Sequence, residues 1–270
     1  GRLAAAGFDF YDRLLDSLVA AGVAPWVCLY HWDLPQALQE RGGWTDRDTA
    51  LWFADYAQVA AERLGDRVHT FLMLNEPNVH ALLGHLAGVH APGLSGLSDF
   101  LAAVHHQNLA VGEGVARLRE LGSWPLGTVV NLQPIEAASS SEDDLAAAGL
   151  ADEAFNRACL DPLLLGEYPP LLAPLMEVVA KAGDERTLAQ PLDFVGVNHY
   201  TVQRVRAGGG PVGVELLPAP EGVETTAMGW QVAPAAFVRQ LLEVKERYGN
   251  PPVYVTENGA AYSDPAPARG

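Results

Sequence analysis

The chain has 270 residues, of which 49% are hydrophobic, and 33 acidic side chains against 17 basic give it a formal charge of −16. A surface this acidic repels polyanions, so nucleic acid is excluded as a partner and a neutral or cationic ligand is favoured. The length supports one large core; the best linker candidate, the Pro/Gly-rich run Ala207 to Glu221, is short and the same pattern continues on both sides, so residues 1–270 read as a single domain.

In chain order, "DFYDRLLDSLVAA" (Asp9 to Ala21) sets Phe10, Leu14 and Leu18 beside Tyr11, Leu15 and Val19, an amphipathic helix stopped by Gly22. "PWVCLYHW" (Pro25 to Trp32) is too apolar for a solvent-facing strand and predicts a parallel strand buried on both faces. The pair recurs as a helix over Asp46 to Leu64 and the strand "VHTFLMLNE" (Val68 to Glu76). Further helices are predicted near Ser98 to Leu121, Ser141 to Leu160 and Pro234 to Tyr248. They alternate with strands near Gly127 to Gln133, Leu192 to Thr201 and Val253 to Glu257. Such alternation specifies an α/β fold with a parallel sheet. Cys28 lies in an apolar run and Cys159 in a helix, predicting two buried thiols and a reducing compartment. With no charged-then-apolar leader and no apolar run of membrane-spanning length, the expectation is a soluble, cytoplasmic protein without a membrane partner.

Each strand ends in functional groups: His31 and Trp32, Asn75 and Glu76, Asn131, Asn198 and Tyr200, and Glu257. A barrel collects its site from many strand ends, whereas a doubly wound sheet concentrates it at one switch point, so a barrel is predicted. The GxGxxG spacing at Gly208, Gly210 and Gly213 contains Pro211 and no helix follows, so it is assigned to a loop. Glu76 and Glu257 stand out, because a carboxyl pair cleaves glycosidic bonds, one protonating the leaving oxygen and the other attacking carbon or activating water. A Glu at a single strand end more often caps the next helix or pairs with an Arg; five convergent polar tips reverse that balance and favour the pair. Chemistry alone leaves open which carboxyl plays which part.

The motifs "YHWDLPQAL" (Tyr30 to Leu38), "TFLMLNEPN" (Thr70 to Asn78), "GVHAPG" (Gly88 to Gly93), "DFVGVNHYT" (Asp193 to Thr201) and "VYVTENGAAY" (Val253 to Tyr262) resemble, in order, those of glycoside hydrolase family 1, the β-glucosidases. The resemblance implies a (β/α)8 TIM barrel, of which the third to seventh strands, about five, are present, with the first, second and eighth expected outside this chain. It implies a retaining mechanism on a small β-glycoside or oligosaccharide, with no cofactor and no metal. It assigns Glu76 as acid/base and Glu257 as nucleophile. Asn75 would bond the sugar 2-hydroxyl, Tyr200 would donate to Glu257, and His31 and Trp32 would offer a hydrogen bond and a ring face. Asn131 and Asn198 join them as substrate-binding candidates. The alternative is a catalytically impaired sugar-binding or scaffold protein on the same fold.

Adjacent strand residues face opposite ways, so Asn75 with Glu76, or His31 with Trp32, share a pocket only if the strand end twists or bulges. Two positions depart from the family pattern. Asn78 replaces an aromatic and is expected near the leaving group, and His199 replaces a tyrosine. His80, His85 and His90 recur every five residues, a spacing that rotates around a helix, which argues against metal binding. His105 and His106 are assigned to helix packing. Glu142, Asp143 and Asp144 behind Ser141 read as a helix N-terminus.

Overall fold

The computed structural model describes residues 3–210 and 212–263. Its centre is a parallel sheet of five strands, β1 (Trp26–Tyr30), β2 (Thr70–Asn75), β3 (Leu126–Asn131), β5 (Phe194–His199) and β8 (Val253–Asn258), adjacent in that order. A second sheet joins β4 (Ile135–Ala137), β6 (Gln203–Ala207) and β7 (Val214–Leu217), with β4 parallel and β7 antiparallel to β6. Short runs following strand tips hid these three strands in the sequence.

The main sheet's order never reverses along the chain, so it has no switch point of the doubly wound kind. It curves strongly. The Trp26 ring on one edge strand lies 4.8 Å from Tyr254 on the other, and both rings meet Phe194 at 5.2–5.3 Å. Inside the curve Cys28, Leu72, Val129 and Phe194 form their own apolar layer. A Cβ on Gly127 would stand 2.5 Å from the Phe194 ring, so glycine is what admits that ring.

Outside the curve, Phe71 and Met73 of β2 share the main core with Phe53 of helix Asp48–Leu64 and with Val104 and Val115 of helix Leu97–Leu121. Buried His105 bridges elements as a packing residue. Its Nε2 lies 2.7 Å from Asp184 and its Nδ1 2.8 Å from the Tyr168 hydroxyl, while Arg47 donates to both Asp184 oxygens. Ser141 caps helix Glu142–Asp152 by accepting from the Asp144 amide, as the acidic run predicts.

Several expectations are corrected. β1 and β8 are the sheet's edges, as the third and seventh strands of a barrel whose neighbours lie outside this chain should be; what is corrected is β1 as a strand buried on both faces, since Trp26 is 37% exposed, and Tyr254 and Val255 of β8 are exposed as well. The first helix spans Ala5–Ala20, but of its apolar residues only Leu15 is buried, because no described element covers Phe10, Tyr11, Leu14 or Val19. Cys159 is buried, whereas Cys28 on the edge strand is half-buried; both are free thiols. The helix predicted over Ser141 to Leu160 widens into a π-helical turn at Glu153–Arg157 and continues as Ala158–Leu165. In keeping with the reading that residues 207–221 are no linker, they hold the β6–β7 turn and β7, and the Gly208 N–H donates to the Gly213 carbonyl there; Pro211 lies outside the described residues. No described helix is long and apolar enough to cross a membrane.

Asp161 ties helix Ala158–Leu165 to the end of helix Pro234–Arg247, behind β3 and β5. Its nearly inaccessible carboxylate accepts from Arg157, Arg247 and the Tyr248 hydroxyl. Burial alone would raise its pKa, yet these donors together hold it below the ordinary value. Asp161→Asn is therefore expected to cost about 3–5 kcal/mol at pH 7, read by urea unfolding. The wild-type advantage is full above the unfolded pKa of about 3.9 and fades as pH falls through the lower folded value, so the two proteins should converge in acid.

Candidate active site

The tips of β1, β2, β3, β5 and β8 converge around two carboxylates. β2 carries one extra residue against β3: Leu72 pairs with Gly127 but Asn75 with Val129. Glu76 then turns into the left-handed region at φ 50°, ψ 53° and starts helix Pro77–Ala81, with proline at the first position where no N–H is needed. The expected break in alternation is thus present. Asn198 Nδ2 reaches both Asn75 Oδ1 (3.1 Å) and Glu76 Oε1 (2.8 Å). β8 repeats the device: Val255 pairs with Val197 and Glu257 with Asn198, leaving Thr256 as the extra residue.

At the end of β1, Trp32 is left-handed at φ 77°, and it and His31 both meet Asn75. The Trp32 indole donates to the Asn75 carbonyl (2.8 Å), and Asn75 Nδ2 donates to His31 Nε2 (3.1 Å), which puts the imidazole proton on Nδ1. Asn131 at the β3 tip donates a second amide hydrogen to Glu76 Oε1 (2.8 Å). Tyr200 follows the end of β5, two residues after Asn198, and its hydroxyl donates to Glu257 Oε2 at 2.5 Å. Six of the eight predicted site residues are therefore joined in one hydrogen-bonded network, and the other two, Tyr200 and Glu257, pair with each other beside it, Glu257 standing opposite Asn198 in the sheet.

Burial is the main force raising the Glu76 carboxyl above the usual range; the Asn198 and Asn131 donors pull it back, and the Glu257 charge adds to the rise. Tyr200 is pushed well upward, first by burial and then by its bond to Glu257, so it remains a proton donor throughout the physiological range. Among the described residues no three His, Cys, Asp or Glu side chains gather into a metal-holding group.

Two departures resolve differently from expectation. Asn78 does not face open space beside the site: it is 1% exposed, and its amide donates to the carbonyls of Asn131 (2.7 Å) and Phe155 (3.0 Å). It braces the residue that braces Glu76. His199 points behind the sheet, where it stacks on Phe237 at 4.3 Å and donates to the Leu132 carbonyl. The five-residue histidine spacing is also reinterpreted. A π-helical turn at Leu82–Leu86 realigns His80 and His85, whose rings lie 5.2 Å apart. His80 contacts the Tyr30 hydroxyl and Gln107, and burial holds its pKa down at about 3.

Sequence reasoning missed Thr256, whose hydroxyl donates to Asn198 Oδ1 (2.7 Å), and Trp230, whose ring lies 5.7 Å from Tyr200. Thr256 neighbours Glu257, so strand alternation sends it to the wrong face unless the extra residue is known. Trp230 sits in a loop with no periodic signal.

The whole of residues 1–268 matches the family model described as glycosyl hydrolase family 1. β-Glucosidase A of Thermotoga maritima is 39% identical over 98% of this chain and 60% of its own length. The β-glucosidase of an Agrobacterium species is 42% identical over 95% of this chain and 58% of its own. The solved family 1 β-glucosidase from Thermotoga maritima superposes with a TM-score of 0.90 at 38% identity, covering 98% of this chain and 60% of that one. The AHE enzyme from Alicyclobacillus herbarius gives 0.93 at 39% identity, covering 100% and 62%. The chain thus spans about 60% of the length of the relatives it matches. On the family match and on these identities, the chain belongs to glycosyl hydrolase family 1.

Proposed function

We propose that the protein carrying this chain is a retaining β-glycosidase of the β-glucosidase type, acting on small β-glycosides or oligosaccharides in a (β/α)8 barrel to which this chain contributes five strands. The observation that carries the reading is the asymmetry of the two carboxylates. Glu76 is buried, its pKa is raised and one oxygen is held by two amides, which suits a proton donor. Glu257 is held by Tyr200 through one oxygen, and among the described residues no hydrogen bond engages the other, which suits a nucleophile. A solved relative binds deoxynojirimycin, a glucose-like ligand, in keeping with a glycoside substrate.

In this reading Glu257 attacks the anomeric carbon while Glu76 protonates the leaving oxygen through Oε2. Glu76 then takes a proton from the water that releases the sugar. Asn75 retains a second Nδ2 hydrogen for a sugar hydroxyl, exposed His31 offers Nδ1–H, and Trp32 offers a ring face. Asn131 and Asn198 act through Glu76, and Tyr200 acts through Glu257.

Removing either carboxylate tests the roles. Glu257→Ala should abolish the glycosyl-enzyme, and azide should restore turnover as the α-glycosyl azide. Glu76→Ala should lose about 10²–10⁴-fold on unactivated substrates while sparing formation of the glycosyl-enzyme from dinitrophenyl glycosides. Azide should then give the β-product, and identical azide products from both variants would contradict the assignment.

The pH profile tests the electrostatics. The acid must be protonated, so kcat/KM should fall as pH rises through the raised Glu76 pKa. Asn131→Ala removes a donor that favours the carboxylate, so its alkaline limb should move to higher pH. Glu257→Gln removes a neighbouring charge, so Glu76, followed by carboxyl ¹³C NMR, should titrate lower. A limb that stays in place in Asn131→Ala would assign it to another group.

A further inference from the structure

At the tip of β3 the neighbouring strands fall away. On one side the Glu76 N–H donates to the Val129 carbonyl (2.8 Å), and the chain then turns into helix Pro77–Ala81. On the other side β5 ends at His199. The β3 chain runs on through Leu132 and Gln133, where buried N–H and C=O groups need partners that no strand supplies.

Side chains supply them, and all six backbone groups of residues 131–133 are paired. Asn78 meets both groups of Asn131: its Nδ2 donates to the carbonyl (2.7 Å) and its Oδ1 accepts the N–H (3.4 Å). Asn156 does the same for Gln133, with Nδ2 donating to the carbonyl (2.8 Å) and Oδ1 accepting the N–H (3.0 Å). Leu132 faces the other way, donating to the Asn198 carbonyl (2.9 Å) and accepting from His199 Nδ1 (2.8 Å). This is the alternation of a parallel strand, with side-chain amides standing where a neighbouring strand would be. Second bonds lock both amides in that orientation, from Asn78 Nδ2 to the Phe155 carbonyl (3.0 Å) and from Asn156 Nδ2 to Asp152 Oδ1 (2.7 Å). Asn78, Asn156 and His199 are all buried, and burial lowers the His199 pKa, which favours the neutral ring with its proton on Nδ1. Gln133 borders an apolar cavity of about 200 Å³ walled by Leu86, Phe155 and Val205, so close packing does not press the extension into place from that side.

The extension carries Asn131. Gln133 Nε2 donates to Asn131 Oδ1 (3.3 Å), which turns Asn131 Nδ2 toward Glu76 Oε1 (2.8 Å). Asn78 and His199 are the two departures from the family pattern, and they grip adjacent residues of one strand from opposite sides. An aromatic ring at position 78 has no amide with which to meet both groups of Asn131. We propose that Asn78, Asn156 and His199 are positioning residues for the acid, a clamp that fixes the backbone of residues 131–133 and through it the amide of Asn131 against Glu76. The inference rests on the reading of Glu76 as the acid. The titratable groups facing Glu76 are Glu257 from β8, His31 from the end of β1 and Tyr200 from the end of β5, and none belongs to the clamp.

The test uses the complete protein that carries this chain. Glu76 is titrated by carboxyl ¹³C NMR in a Glu257→Gln background, where no turnover is needed, and the alkaline limb of kcat/KM is read with Glu257 in place. Asn78→Ala and, separately, His199→Phe, which keeps a ring on Phe237 and loses the donor, should each loosen the amide that favours the carboxylate. The Glu76 midpoint and the limb should both move to higher pH by about 0.5–1 unit, part of what a hydrogen bond to a charged group is worth. His199→Asn, which keeps a donor near the Nδ1 position, should return both toward wild type. In an Asn131→Ala background, Asn78→Ala should add no further shift. A midpoint that stays in place in folded Asn78→Ala and His199→Phe overturns the proposal. So does a full additional shift in the Asn131→Ala background, or a larger shift from His199→Asn than from His199→Phe, which would make ring packing the cause. His199→Phe removes a single bond and carries the test alone if Asn78→Ala does not fold. A midpoint that moves while the limb stays keeps the clamp and overturns the reading of Glu76 as the acid.

Discussion

The side-chain amide of Asn198 is the interaction on which the site depends. Wholly buried, it spends Nδ2 on Asn75 and Glu76 and accepts the Thr256 hydroxyl at Oδ1, so it binds the tip of β2 to the tip of β8 across β5. A buried amide left unpaired costs about 1–3 kcal/mol per group, so these partners and the geometry they require are mutually enforced. The two carboxylates do not belong to neighbouring strands. What fixes one with respect to the other is this amide, together with the pairing of Asn198 opposite Glu257.

That frame also holds backbone conformations that an isolated chain would avoid. Glu76 and Trp32 both adopt positive φ, which costs a non-glycine residue on the order of 1–3 kcal/mol. Trp32 is retained by its indole bond to Asn75, and Glu76 by amides from two strands. The strain has a result: a residue that alternation would turn outward is brought into the pocket beside its neighbour. The extra residues on β2 and β8 do the same for Asn75 and Thr256.

The electrostatics follow from the same contacts. Burial favours the neutral Glu76, while the two amides favour its charge, and the balance leaves the carboxyl above the ordinary range. Both donors crowd Oε1, so Oε2 takes neither of them. Asn78 extends the arrangement outward by gripping the backbone of Asn131, and Gln133 extends it toward the apolar cavity. The polar network and the apolar wall thus meet at one strand tip.

The sequence by itself determined the succession of the main sheet's strands and their helices, the polar groups at the strand tips and the family, because those signals are local: apolar runs such as "TFLMLN", stops such as Gly22, and motifs contiguous along the chain. It also identified Glu76 and Glu257, since a carboxylate ending an apolar strand stands out wherever it lies. Tertiary structure alone decided which faces are buried. Val253 to Glu257 is as apolar as an interior strand, yet Tyr254 and Val255 are exposed because burial depends on a neighbour that no local pattern encodes. It decided too that Asn78 grips a backbone and that His80 meets His85, since one extra residue or one π-helical turn rotates every side chain after it. Periodicity predicts direction only while the period holds, and at this site it is the breaks in period that place the residues.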